Sequence, residues 1–290
     1  MRIRRKCIDV LLAFVFGLFA LFTVRYIHAR SQPERYCRFP MVAEPHWSRK
    51  VGNVELDSVF FVVLTSAAGS RRLGATQTWL RHIKRNRFII ASDRDYHYTR
   101  EQTWPIAEGK KKRVDGAYRV FAAMHQLYEQ DTQFKWLVTA DDDTWLNIPE
   151  LLRFLDGLDE ESEVMAGYIW DRVVIPLPSF SGGAGIVFSK PAFVTTMAEL
   201  WDLPRVIVES HDVVLDADHI DSLITPERWA HDEIISRKIY HTNITRLHSP
   251  RFHPFMLPDH LAKNPSEIHS AVSFHYASVV MCDFEKVIFP

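Results

Sequence analysis

The chain has 290 residues, 47% hydrophobic and 12% aromatic, with 35 basic side chains against 36 acidic ones. That apolar share supplies material for a core, and the near-zero net charge excludes the general basic field that binding to nucleic acid calls for. With three cysteines in all, the fold must hold mainly on its core rather than on a disulfide framework.

The N-terminus comes first. Met1 to Lys6 is basic, and Val10 to Val24 follows without a charge. The uncharged run is shorter than the ~20 residues of a typical membrane span. Counting from Cys7 lengthens it and places Asp9 near the headgroups. A cleaved signal peptide and a short membrane anchor compete here. Ile27-His28-Ala29 is a poor cleavage site, which favours the anchor. The organisation expected is a cytoplasmic tail over 1–9, a signal-anchor transmembrane segment over 10–28, a stem over 29–51 and a luminal domain over 52–290. The stem is polar and contains Pro33, Pro40 and Pro45. Basic residues before the span put residues 25 onward on the luminal side. A short span suits the thinner membranes of the early secretory pathway. Cys37 and Cys282 then share the lumen, and whether they pair stays open. Asn243-Ile244-Thr245 is a glycosylation sequon, usable if luminal and exposed.

Within the domain, strands and helices alternate. Val59 to Thr65 is an apolar run of strand length, and Ala68-Gly69-Ser70 turns into a helix through Trp79 and Ile83. Phe88 to Ser92 is a second strand. Val114, Tyr118, Phe121, His125 and Tyr128 recur at helical spacing, with Ala122, Met124 and Leu127 widening the stripe. Phe134 to Ala140 is a third strand, and Leu151 to Leu155 belongs to another helix. This order predicts an α/β fold with a mainly parallel central sheet and helices on both faces. Ligands of such sheets bind beyond the carboxyl ends of the strands.

Asp141-Asp142-Asp143 stands at such a strand end. Alternation points Asp141 and Asp143 the same way. Two same-side carboxylates repel, and a proton or a divalent metal relieves them. The competing reading is an N-cap cluster for the helix that starts near Ile148-Pro149-Glu150.

Four motifs then carry a resemblance. Thr139 to Trp145 resembles the acidic motif of the inverting β-1,3-glycosyltransferases of the fringe and core 1 galactosyltransferase group, glycosyltransferase family 31. Ser181 to Lys190 resembles that group's glycine motif. Arg251-Phe252-His253-Pro254-Phe255 and Ala271 to Tyr276 are similar to core 1 β-1,3-galactosyltransferases in particular. The resemblance spans roughly residues 58 to 281. It implies a nucleotide-sugar-binding domain of the GT-A type, a type II anchor, Golgi residence, UDP-galactose as donor, a manganese ion, and a glycoprotein acceptor carrying O-linked N-acetylgalactosamine. A homodimer is an open option.

By this resemblance Asp143 is the main carboxylate ligand of the metal. Asp141 or Asp142 holds ribose or a metal-bound water, and His275 is the imidazole ligand; the plain alternative for His275 is a core histidine. Trp229 to Ser236 looks like the group's acidic-pair segment, with His231 in place of the first acid. Asp232 matches the second acid and is the candidate general base, with a helix N-cap as the competing role and Glu233 as a weaker candidate. The departure at His231 bears on acceptor preference or activity. Thr65, Ser66, Arg72 and Asp93 line the uridine pocket by resemblance. Gly182 and Gly183 let backbone approach the sugar, or simply make a turn. Lys110 to Arg113 reads as solvated surface rather than a phosphate contact. His253 is read as structural, because Pro254 fixes a turn. The chain is shorter than core 1 enzymes and lacks most of their luminal cysteines. Three functions follow: a core 1 galactosyltransferase, a fringe-like β-1,3 transferase using another UDP-sugar, or a non-catalytic chaperone-like relative.

Overall fold

The structure is a computed structural model that describes residues 48–65, 75, 78–92, 103–105, 112–170, 178–200, 230–255, 265–277 and 284. The expected tail, anchor and most of the stem, together with Ser66, Arg72, Asp93 and all three cysteines, lie outside the described residues. Among the described residues, no helix is long and apolar enough to cross a membrane.

A short hairpin of β1 (Lys50–Val51) and β2 (Val54–Glu55) leads into β3 (Val59–Leu64). At Trp79–His82 the chain forms a 3-10 turn, which buries Trp79. Then come β4 (Phe88–Ser92), β5 (Thr103–Pro105), α1 (Lys112–Glu129) and β6 (Trp136–Asp141). The two-residue β7 (Trp145–Leu146) and α2 (Ile148–Asp156) follow. The second half holds β8 (Val164–Gly167), β9 (Ile169–Trp170), β10 (Ser179–Phe180), β11 (Ile186–Ser189), α3 (Lys190–Leu200), α4 (His231–Lys238), β12 (Thr245–His248), β13 (Phe252–His253), α5 (Pro265–Ser270) and β14 (Ser273–Phe274).

Seven strands form the central sheet in the order β12-β8-β11-β6-β3-β4-β5. The strands β6, β3, β4 and β5 pair in parallel, as does β12 with β8, while β11 runs antiparallel to both neighbours. The sheet is therefore mixed but, as expected, mainly parallel: four of its six pairings are parallel, and β11 is the exception. A parallel neighbour needs a long crossover. β11 instead leaves a tight turn at residues 181–185 and returns directly between β8 and β6.

The strand sequences explain the layers. β3 is apolar at every position because both of its faces are covered. Phe61 and Val63 face one core with Val138, Trp79 and Trp145. Phe60 and Val62 face the other, with Leu137, Phe121 and Met124 of α1, and Phe193 of α3. The stripe of α1 is centred on Phe121, Met124 and Leu127, with His125 and Tyr128 half-buried at its margin.

A second, three-stranded sheet of order β13-β14-β7 positions the site. β14 pairs parallel to β13 and antiparallel to β7. Phe252 is fully buried against Phe154, and Trp145 stacks on Phe274. Two distant motifs are thereby carried to the loop that follows β6.

Candidate active site

β3, β4 and β6 are parallel, so their carboxyl ends share one edge, and Asp141 is the last residue of β6, level with Leu64 of β3. Past it the chain turns, with the Thr144 amide donating to the Asp141 carbonyl at 3.1 Å. Asn147 caps α2, its side chain accepting from the Glu150 amide. None of the three aspartates is needed as that cap.

The side chains alternate as a strand end dictates. His275 Nε2 lies 3.3 Å from an Asp143 oxygen and 3.6 Å from an Asp141 oxygen. One donor atom from each of the three falls within 4.8 Å of the others. Asp142 turns away and is buried, its Oδ2 accepting from the Thr65 hydroxyl at 2.6 Å. The Thr65 carbonyl in turn accepts from Arg119 of α1.

His275 is oriented from behind. Its Nδ1 lies 3.2 Å from the Pro254 carbonyl, where an Nδ1–H donates and leaves Nε2 to face the carboxylates. The backbone amide of His275 donates to the His253 carbonyl at 2.9 Å, extending the β13–β14 pairing. The Tyr276 ring stacks on the imidazole with centroids 3.7 Å apart. Burial works against a charged His275, but hydrogen bonds and charge from Asp141 and Asp143 outweigh it and push its pKa up to about 10. That proton does for the two carboxylates what a divalent cation also does. Two hard oxygens and one imidazole nitrogen converging on a point, with the second ring nitrogen engaged, fit such a cation.

The glycine turn closes the site. A Cβ on Gly183 would lie 2.1 Å from the His275 ring, and one on Gly182 would lie 2.5 Å from His231. Each glycine thus has a packing reason: one residue accommodates the imidazole ligand, the other His231 and Asp232. Gly185, at φ +96, supplies the left-handed conformation that ends the turn. Thr144 and Ser273 hold the turn from either side by donating to the carbonyls of Gly183 and Ala184.

Asp232 sits in the first turn of α4, but the N-cap position is Ala230. Its Oδ2 accepts from the Gly182 amide at 2.6 Å, and its Oδ1 from the Glu233 amide at 2.9 Å. Asp232 and the trio of Asp141, Asp143 and His275 are therefore bridged by two adjacent residues of one turn. His231, in place of an acid, is buried beneath Gly182. His253 stacks on Phe274, its pKa lowered by burial against the opposing charge of Glu267. Lys112 begins α1, while Arg72, Asp93, Lys110 and Lys111 lie outside the described residues.

Arg119 is the residue that the sequence reading missed. It is buried between Val120 and the end of β3, and its guanidinium fixes the Thr65 carbonyl. An arginine interrupting the apolar stripe of a helix was the available signal.

A family model described as Fringe-like matches residues 54–286. No curated protein matches the chain. Among solved structures, the chain is similar to a glycosyltransferase involved in the glycosylation of the major capsid of PBCV-1, with 11% identity, 79% of this chain and 98% of that one covered, and a TM-score of 0.42. It is also similar to the glycosyltransferase GlyE of Streptococcus pneumoniae TIGR4, with 10% identity, 80% of this chain and 62% of that one covered, and a TM-score of 0.45.

Proposed function

This chain belongs to the Fringe-like family of glycosyltransferases, and from that premise we propose that it moves galactose from UDP-galactose to O-linked N-acetylgalactosamine on glycoproteins, in β-1,3 linkage with inversion. The observation that carries the reading is the meeting of Asp141, Asp143 and His275 at one point, with Asp232 held across the Gly182–Gly183 turn.

Inversion at the anomeric carbon needs three things from the chain. The attacking hydroxyl must lose its proton as its oxygen bonds to that carbon. In this reading Asp232 takes it, a role supported by its position across the glycine turn from the trio. The bond from the anomeric carbon to the phosphate oxygen breaks on the opposite face, and its electron pair leaves with UDP. Asp141, Asp143 and His275 would hold a divalent ion, manganese by their mix of oxygen and nitrogen donors, which neutralises the charge gathering on the diphosphate. The third requirement is a fixed nucleoside. By the resemblance that role falls to the aspartates at the carboxyl edge of the sheet, where Asp142 is pinned by Thr65.

The GT-A type of domain, the N-terminal anchor and Golgi residence belong to the same proposal. They rest on the resemblance of the motifs and on the basic-then-apolar start of the chain. The Phe252 to Phe255 and Ser273 to Tyr276 motifs, joined in the small sheet, favour the core 1 reaction over a fringe-like transferase with another UDP-sugar.

The test is a screen of UDP-sugars with the full-length protein in detergent, with benzyl α-N-acetylgalactosaminide as acceptor. UDP-galactose should release UDP fastest, the acceptor should stimulate release, and chelation should stop it until manganese is restored. Preference for another UDP-sugar would move the assignment to the fringe-like alternative. Full activity in chelator would remove the metal from the mechanism.

A further inference from the structure

Beside the glycine turn lies a surface where four aromatic rings from three separate stretches of chain meet. Tyr168 and Trp170, flanking Ile169, stand 4.8 Å apart at 68°. His248, at the end of β12, stands 4.9 Å from Tyr168, and its Nδ1 accepts from the Ile169 amide at 3.0 Å. Phe255 lies 5.2 Å from Trp170 at 56° and is 57% exposed. Tyr168 and Trp170 are half-buried beside it, so the rings form a contiguous aromatic patch rather than one stray exposed side chain.

Its position is more telling than its composition. The Tyr168 carbonyl accepts from the Ser181 amide at 2.8 Å, and the next amide, of Gly182, donates to Asp232. Phe255 follows Pro254, whose carbonyl faces His275 Nδ1. The surface is therefore rooted in both arms of the site, through Ser181 on the Asp232 side and through Pro254 on the His275 side.

We propose that Tyr168, Trp170 and Phe255 form a platform that holds a pyranose ring of the acceptor glycan, presenting its hydroxyl to Asp232. The proposal rests on the transferase reading above. A pyranose has an apolar face of C–H bonds and a rim of hydroxyls. Aromatic faces answer the first, and the Tyr168 hydroxyl answers the second. The rings are tilted against one another rather than coplanar. They offer separate faces to single sugar rings, not the broad continuous patch that a protein partner covers. The donor sugar is placed by its diphosphate, so the sugar without such a tether is the one that needs a platform.

The experiment measures transfer from UDP-galactose to benzyl α-N-acetylgalactosaminide by the full-length protein and its Trp170→Ala, Trp170→Phe and Phe255→Ala variants. Each alanine variant should raise acceptor KM about tenfold, and Trp170→Phe should raise it least. The KM for UDP-galactose should move far less than that. Phe255 is more than half exposed, so its variant tests the platform even where Trp170→Ala fails to fold. An acceptor KM equal to wild type in Phe255→Ala and Trp170→Phe, or one that rises only in step with the donor KM, overturns the platform. A wild-type protein that hydrolyses UDP-galactose without stimulation by the glycoside also overturns the platform but leaves the transferase reading standing. A wild-type protein that releases no UDP from any UDP-sugar overturns both.

Discussion

At Asp232 an observed role, anchoring the glycine turn, meets a proposed one, taking a proton. The hydrogen bonds from Gly182 and Glu233 need only an acceptor oxygen, which asparagine retains. Proton transfer needs the carboxylate itself. Asp232→Asn should therefore keep the fold and the donor KM but lower kcat by about 100-fold or more. Near-normal turnover would leave Asp232 as an anchor and move the search for a base to Glu233. His275 gives a prediction in pH. Without metal its pKa is pushed from an ordinary 6.5 up to about 10, so the stability it contributes is fully present below pH 6.5 and is lost as pH rises through 10. Near pH 7 a metal ion must displace that proton. Calorimetry of manganese binding in buffers of different ionisation enthalpy should report about one proton released per ion. Release that persists in His275→Asn would exclude this histidine as its source. Much of this scale was legible in the sequence. The parity of Asp141 and Asp143 is a local property of a strand. The bond between Thr65 and Asp142 was not legible, because it depends on the register of β3 against β6, and no single segment carries a register.

Among the elements, the first strands were the readable ones. Continuous runs such as Val59 to Leu64 belong to strands covered on both faces, and three of them were placed within two residues of their observed limits. The direction of β11 was not readable, since strand composition does not encode orientation; the turn before it does. β7, β13 and β14 are two residues each, too short for any period, yet they assemble the site. Asn147 ties this small sheet to α2. Its Oδ1 accepts from the Glu150 amide, its Nδ2 donates to the Ile268 carbonyl at 3.1 Å, and its amide donates to the Val272 carbonyl at 2.9 Å. Asn147→Ala removes both side-chain bonds and leaves the backbone bond intact. It should cost about 1–2 kcal/mol in urea unfolding. Asn147→Asp keeps the cap acceptor and should cost less. Equal losses in the two variants would mean that the tie to Ile268, not the cap, carries the effect.

At the scale of the whole molecule, the proposed topology puts Asn243 in the lumen. The structure leaves Asn243 exposed in the turn between α4 and β12 and Thr245 exposed at the start of β12, with Ile244 buried between them. Asp232 lies at the opposite end of α4, so a glycan on Asn243 would stand clear of the site. Translation with microsomes should give a form shifted by one glycan, sensitive to glycosidase and absent in Asn243→Gln. Carbonate extraction should leave the protein in the pellet. Release of a shortened soluble form would instead mark a cleaved signal peptide.

The join between β7 and β14 has a consequence for biogenesis. Asp141 and Asp143 leave the ribosome long before His275, and β14 cannot pair with β7 until the intervening chain has been made. A nascent chain can thus close β3, β4 and β6 into a sheet while the two carboxylates still face each other without their imidazole. Completion of the site marks the moment at which the two halves of the chain have found one another. On the proposed route through the secretory pathway and with the proposed metal, cation retention would then distinguish finished molecules from arrested ones, even where both pass as folded by their secondary structure.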